Sequence, residues 1–236
     1  REEIAYLSGV SVTWYTWLEQ GRDINPSRQV LDAVGRQLRL SPEQQAYVLA
    51  LAGYSAPGPA DLPTQDGAGH LRRLLESLGT SPGFTLGADW TIVDWNRAYE
   101  LLFPRVATVD PIERNLLWLV FTDPGVRQML PRWADDSLHF LAEFRAAAGP
   151  RLGEPAHADL IERLRLASPE FSAGWAGHRV EGFASRERHF RHPEVGELVF
   201  EHHRLVPSDH PALHLVIYTP LAGTPTAERM AALLRA

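Results

Sequence analysis

The stretch Leu86-Gly87-Ala88-Asp89-Trp90-Thr91-Ile92-Val93-Asp94-Trp95-Asn96 decides the fold of most of this chain. Phe84 to Leu86 and Trp90 to Trp95 are short runs of strand-forming residues, and Gly87-Ala88-Asp89 between them supplies turn chemistry, so the segment predicts a hairpin. Ile92 and Asp94 then fall on one face of the second strand, with Thr91, Val93 and Trp95 on the other. Asn96 follows with a side chain suited to capping a helix that runs through Phe103.

Downstream, Asp110-Pro111, Asp123-Pro124, Ser168-Pro169 and Thr224-Pro225 each join a capping side chain to proline at a first helical position, and so mark helix starts. The pattern becomes extended near Arg186. Arg186 to Arg191, a turn at Pro193-Glu194-Val195-Gly196, Glu197 to Leu205, and Leu213 to Thr219 predict three antiparallel strands before a final helix from about Pro225. Two early strands, a helical middle and a late meander predict an α+β domain with helices against a single sheet.

Upstream the pattern is helical. Ser11 can cap Val12 to Gln20, with Gly21 placed as the left-handed residue beyond the end. Asn25 or Ser27 opens a helix whose Val30, Leu31, Val34 and Leu38 form a stripe, and Ser41-Pro42 opens another with Tyr47, Val48 and Leu51 expected inside. Gly53 to Gly69 carries four glycines and three prolines with no sustained period. The expected organisation is a helical module over 1–54, a linker over 55–69, and the α+β domain over 70–236, opened by a helix bearing Leu71, Leu74, Leu75 and Leu78.

Composition restricts the function classes. The 236 residues are 44% hydrophobic and 22% charged, with a net charge of −6, which suits folded globular domains and not a disordered tail. No apolar run approaches the roughly 18 residues that a membrane-spanning helix needs. The absence of cysteine excludes disulfides, cysteine zinc sites and thiol catalysis, and all 23 basic residues are arginine. The chain opens on Arg1 without a signal-peptide pattern, so Arg1 is expected to be an internal position of a longer, cytoplasmic protein.

The first motif is Ala5, Gly9, Val10, Ser11, Tyr15 and Leu18. A small residue on one helix, glycine at the turn and apolar anchors on the next are what a helix-turn-helix requires. Val12, Thr13, Trp14, Thr16 and Trp17 would then face the major groove, with Arg22 and Arg28 as nearby phosphate contacts. Residues 1–54 carry five arginines against six acids, so operator affinity must come from local clustering, helix N-termini and dimerisation more than from bulk charge. Trp17 can pack on a sugar or a thymine methyl but cannot make the bidentate guanine contact of arginine.

The string from Glu2-Glu3-Ile4-Ala5 through Gly9-Val10-Ser11 to Asn25-Pro26-Ser27 resembles the Xre/Cro-like helix-turn-helix of bacterial repressors, which implies a first helix upstream of Arg1. The hairpin opening at Leu86, with the late meander, resembles a PAS-like sensor. Glu113-Arg114-Asn115-Leu116-Leu117, Ser168-Pro169-Glu170-Phe171 with Trp175 and His178, and Phe190-Arg191-His192-Pro193 through Leu198 resemble the MmyB-like family of bacterial transcription regulators. That resemblance implies a DNA-binding head joined to a PAS-like domain that binds a small hydrophobic ligand, with a long-chain fatty acid the expected class, acting as a homodimer on a double-stranded operator and away from membranes.

An acyl chain needs bulky apolar walls and a few converging polar groups. Candidate walls are Trp95, Trp118, Phe121, Trp133, Phe140, Trp175, Phe200 and Tyr218, and Arg114 with Asn115 is the economical carboxylate anchor, with Asn96 a second polar candidate. Each has a structural alternative: aromatics at helical spacing also build cores, Asn96 also caps, and Arg114 also pairs with Glu113 or Glu170. His189, His192, His202 and His203, with His178 and His214, invite a metal reading, but His202 and His203 point to opposite faces of a strand, so no metal site is expected. No phosphate loop, nucleophile elbow or His-Glu-x-x-His run occurs, and Asp135, Asp136 and Glu143 read as a solvated helix face, so no catalytic residue and no enzyme is expected. The competing architecture is a small-molecule-binding or metal-dependent enzyme domain whose helical head serves dimerisation, and a fully packed core serving as a dimer platform is a third.

Overall fold

The computed structural model describes residues 1–54 and 65–235. Four helices come first: α1 (Glu2–Leu7), α2 (Val12–Glu19), α3 (Arg28–Gln37) and α4 (Pro42–Leu51). Their starts follow the expected chemistry. Ser11, Ser27 and Ser41 accept hydrogen bonds from the backbone N–H of Trp14, Val30 and Gln44, and Gln44 completes a capping box by accepting from the Ser41 N–H at 2.9 Å. Gly9 turns α1 into α2 at φ +71°, a conformation that disfavours any Cβ. Ala5, Tyr15 and Val34 are buried together beneath Ile4, Val10 and Val30.

Two inward assignments fail. Leu38 and Leu51 are exposed, because each lies at its helix's end, beyond the turns that contact a neighbour. Tyr47 of α4 instead packs outward against the backbone of Gly149, where an added Cβ would come within 2.6 Å of its ring.

Of the expected linker, residues 55–64 lie outside the described residues. From Gln65 the chain is already helical, in α5 (Gln65–Ser77), which begins earlier than the expected start near His70. The hairpin follows as β1 (Gly83–Leu86) and β2 (Ile92–Trp95). Trp90 is not part of a strand. It adopts φ +66°, and its buried indole lies edge-on to Phe144 at 5.5 Å, so burial offsets the cost of a conformation unusual for a bulky residue.

Between this hairpin and the late strands run α6 (Arg97–Leu102), α7 (Arg105–Thr108), α8 (Leu116–Thr122), α9 (Pro124–Met129), α10 (Trp133–Ala148), α11 (Pro155–Ala167) and α12 (Pro169–Ala176). Asn96, Asn115, Asp123 and Ser168 cap α6, α8, α9 and α12 through their side chains. Asp110-Pro111 opens only a 3-10 turn, Pro111–Glu113. Strands β3 (Glu187–His192), β4 (Gly196–Leu205) and β5 (His214–Pro220) form the meander, turning at Gly196 with φ +76°, and α13 (Thr226–Arg235) closes the described chain.

All strand pairs are antiparallel in the order β2-β1-β5-β4-β3, so β5 joins the early hairpin to the late meander. The register sets Phe84 opposite Val216, His202 opposite Tyr218, and Arg188 opposite Phe200. This is the predicted α+β, PAS-like arrangement. Its core gathers Phe84, Phe190, Phe200 and Tyr218 from the sheet with Tyr99, Leu117, Phe121, Phe140 and Phe144 from α6, α8 and α10.

Candidate ligand-binding site

A small apolar cavity of about 20 Å³, room for about one water molecule, lies between the sheet and the helices. Tyr99 and Phe103 reach it from the α6 segment, Leu116, Leu119 and Val120 from α8, Val126 and Leu130 from the α9 segment, Phe140 from α10, and Phe190 and Tyr218 from β3 and β5. The residues at 99 and 103 share a helix face, and those at 116, 119 and 120 share another, which is why separate helices present continuous apolar stripes to one space. Arg105 is the one charged residue of the lining. The cavity is too small for an acyl chain as it stands, so a chain entering it must turn side chains aside.

Of the wall residues expected from the sequence, Phe140 and Tyr218 line this cavity. Phe200 is buried behind it, 5.8 Å from Phe190 and 6.0 Å from Tyr218 between ring centroids. Phe121 packs edge-on to Phe171 and Trp133, and Trp133 donates to the carbonyl of Val120 at 2.8 Å. Trp175 stacks on Phe171, and Trp95, Trp118 and Trp133 carry Arg114, Arg163 and Arg127 over their rings. These indoles are covered by cations and helices, so they lie away from the cavity.

The expected polar anchors are engaged elsewhere. Asn96 accepts from the N–H groups of Gly83 and Tyr99 and donates to the carbonyls of Leu75 and Ser81, which ties α5, β1 and α6 together. Asn115 donates to the carbonyl of Asp89 at 2.7 Å and accepts from Leu117 and Trp118. Arg114 donates to the carbonyls of Val106 and Val109 at 3.0 and 3.4 Å and pairs with neither Glu113 nor Glu170; Glu170 is held by Arg127 at 2.8 Å.

The helix face expected to be solvated is partly interior. Asp136 and Glu143 on α10 are buried against β3, with Asp136 3.6 Å and Glu143 3.8 Å from the Arg188 guanidinium, and Arg186 3.4 Å from Glu143. Sequence spacing along α10 could not show this, because the neutralising arginines come from a strand far along the chain. Burial pushes the Glu143 carboxyl above the usual carboxylate range, opposed by Arg188, Arg186 and Arg204. Burial likewise holds His202 well below its usual value, helped by Arg188 and Arg204, and brings His214 down to about 4. The Tyr218 hydroxyl, at the cavity wall, is raised to about 12, again by burial. Both histidines therefore stay neutral at physiological pH.

The remaining histidines are dispersed. His192 is buried with its ring on the carbonyl of Leu101, while His189 and His203 sit beside Glu187 and Glu201. Among the described residues no group of three or more His, Asp or Glu side chains is placed to hold a metal ion.

On the head, Val12, Thr13 and Trp17 are exposed on α2, whereas Trp14 and Thr16 are half-buried. Thr16 spends its hydroxyl on the carbonyl of Val12, Arg22 lies 5.8 Å from the Trp17 ring, and Arg28 is 3.8 Å from Asp32. The head meets the sheet domain through α4: Tyr47 lies on Gly149 at the end of α10, and Glu43 lies against Gly182. Helix α10 therefore borders the cavity at Phe140 and the head at its C-terminal end.

Among the described residues no helix is long and apolar enough to cross a membrane. None of the curated proteins compared matches the chain. Residues 68–234 match the family model of the MmyB-like transcription regulator ligand binding domain, a stretch that contains the whole sheet and the whole cavity lining. The chain belongs to the MmyB-like transcription regulators, and the domain that encloses the cavity is the family's ligand-binding regulatory domain.

Proposed function

We propose that this protein is a DNA-binding transcription regulator of the cytoplasm that responds to a small hydrophobic molecule, a long-chain fatty acid, bound in the cavity behind β3 and β5. The observation that carries the reading is an almost wholly apolar cavity enclosed by the ligand-binding domain of a regulator family. The N-terminal helices supply the operator-binding head, as a homodimer, with Val12, Thr13 and Trp17 of α2 toward the major groove. Ser11 capping, the turn at Gly9 and the buried Ala5–Tyr15 contact support that assignment.

The coupling runs along α10. An acyl chain that turns Phe140 aside displaces α10, and α10 carries the surface on which Tyr47 of α4 rests. The ligand acts only through unequal affinity for the two arrangements of α10 and head, so it must fit one better than the other.

Two measurements on the full-length protein test this. Native mass spectrometry with palmitate should show one bound lipid per chain; a chain that takes up none removes the sensing half. Selected DNA fragments should lose specific binding to the Thr13→Ala and Trp17→Ala variants, and retention of sequence-specific binding by both removes α2 as the recognition helix.

A further inference from the structure

We propose that Arg188 anchors the carboxylate head of an amphipathic ligand whose chain lies in the apolar cavity, an assignment that rests on reading that cavity as the ligand site. Arg188 is only 1% exposed, yet none of Nε, Nη1 and Nη2 has a hydrogen-bond partner among the described residues. The nearest carboxylate oxygens, on Asp136 and Glu143, stand at 3.6 and 3.8 Å, outside hydrogen-bonding distance. A guanidinium offers five donors in a rigid fork and is strongly penalised when they are buried without acceptors.

Burial alone does not produce this state. Arg145 is equally buried, and its two terminal nitrogens donate to the carbonyls of Trp175 and Arg179. Arg114, at the edge of the same helical layer, spends its guanidinium on the carbonyls of Val106 and Val109. Arg145 leaves only its Nε unmet, whereas all three nitrogens of Arg188 are unmet.

Its position fits a headgroup site. Arg188 and Phe190 share the buried face of β3, two residues apart, and Phe190 lines the cavity. The guanidinium carbon lies 4.5 Å from the centre of the Phe140 ring, another cavity wall. Arg188 does not itself line the cavity but stands directly behind the Phe140 and Phe190 walls, so a headgroup reaches it past these side chains while the chain stays on the apolar side.

Arg186 is shared between Glu143 and Glu181, Arg188 stands between Asp136 and Glu143, and the Glu143 Oε1 is itself without a hydrogen bond. A ligand carboxylate would accept two parallel N–H bonds from the Arg188 fork. A polar surface cleft lined by Arg132, Asp136, His139 and Arg186 lies next to it, and its Asp136 stands 3.6 Å from Arg188.

The test compares palmitate, methyl palmitate and hexadecanol on the full-length protein by titration calorimetry. The wild type should bind palmitate at least about tenfold more tightly than either uncharged analogue, the range expected for a charge-assisted contact. Arg188→Met should bring palmitate down to the level of the analogues and leave theirs unchanged; Arg188→Lys should keep part of the preference. Asp136→Asn, which removes a competing carboxylate, should tighten palmitate alone and gives a second readout should Arg188→Met fail to fold. Equal binding of all three lipids, a preference that survives Arg188→Met, or an Asp136→Asn protein with unaltered palmitate affinity overturns the headgroup assignment and leaves the cavity reading intact. Binding of none of the three overturns both.

Discussion

The N-terminal head and the sheet domain hold themselves together by different means. The head buries Ala5, Tyr15 and Val34 as its central cluster and leaves Tyr6, Leu7, Trp17, Leu38 and Leu51 exposed. The sheet domain buries a continuous aromatic and aliphatic core, and it also buries charged groups such as Arg145, Arg188 and Glu143. A small helical core gains little from apolar burial, so caps and the α4 contact with α10 carry a larger share of its stability. Helix α10 belongs to both: it sends Phe140 and Phe144 into the sheet-domain core and carries at its end the Gly149 on which Tyr47 of α4 rests, so a displacement of α10 is felt on both sides.

The comparison can be broken at its strong side first. Phe84 is fully buried, 4.3 Å from Tyr99 and 5.9 Å from Tyr218, so Phe84→Ala should cost about 3–5 kcal/mol in urea unfolding of the sheet domain. A loss below about 1 kcal/mol would mean that β1 is not locked into this core. Arg145→Met should cost about 2 kcal/mol, because the carbonyls of Trp175 and Arg179 lose their donor, and the same substitution should loosen hydrogen-exchange protection after α12. An unchanged unfolding midpoint would show that those carbonyls find other donors.

Acid should weaken the sheet domain in a defined window. His202 and His214 are neutral in the folded protein because burial lowers both, and the unfolded chain takes up their protons near pH 6.5. Stability from these groups is therefore complete above pH 6.5 and falls as the pH drops toward about 4, where folded His214 also protonates. Urea midpoints measured across that range should decline, and His202→Asn with His214→Asn should flatten the decline; an equally steep profile in the double variant would assign the acid sensitivity to other groups. The smallest effect belongs to the head. Ser41→Ala removes the capping box of α4 and should cost about 1 kcal/mol, read as faster exchange of the α4 amides with the sheet domain unaffected.

Legibility in the sequence divided along physical lines. Caps, proline steps, the β1–β2 hairpin and the β3–β4 turn are encoded within a few residues, and all emerged from the sequence at nearly their observed positions. The failures needed a partner from far away. Trp90 departs from its strand because Phe144 receives its indole, and Asp136 and Glu143 turn inward because Arg188 of β3 and Arg186, just before that strand, meet them. The cavity lining was harder still: Tyr99, Phe103, Leu119 and Phe190 resemble ordinary core residues until the helices and sheet fix one space among them. Tryptophan has the bulk of a cavity wall, yet Trp95, Trp118, Trp133 and Trp175 are occupied by stacked arginines. The anchor proposed here was missed because Arg188 stands out only through its unmet hydrogen bonds, which no spacing reveals.

The central claim is that occupancy of the cavity changes what the head does. The direct measurement is the affinity of the full-length protein for its selected operator, with and without saturating palmitate, at fixed salt. Coupling through α10 predicts a shift of roughly 5- to 150-fold, with the reciprocal change in palmitate affinity when operator is bound. Identical operator affinity in the two conditions, with palmitate shown to be bound, would contradict the account.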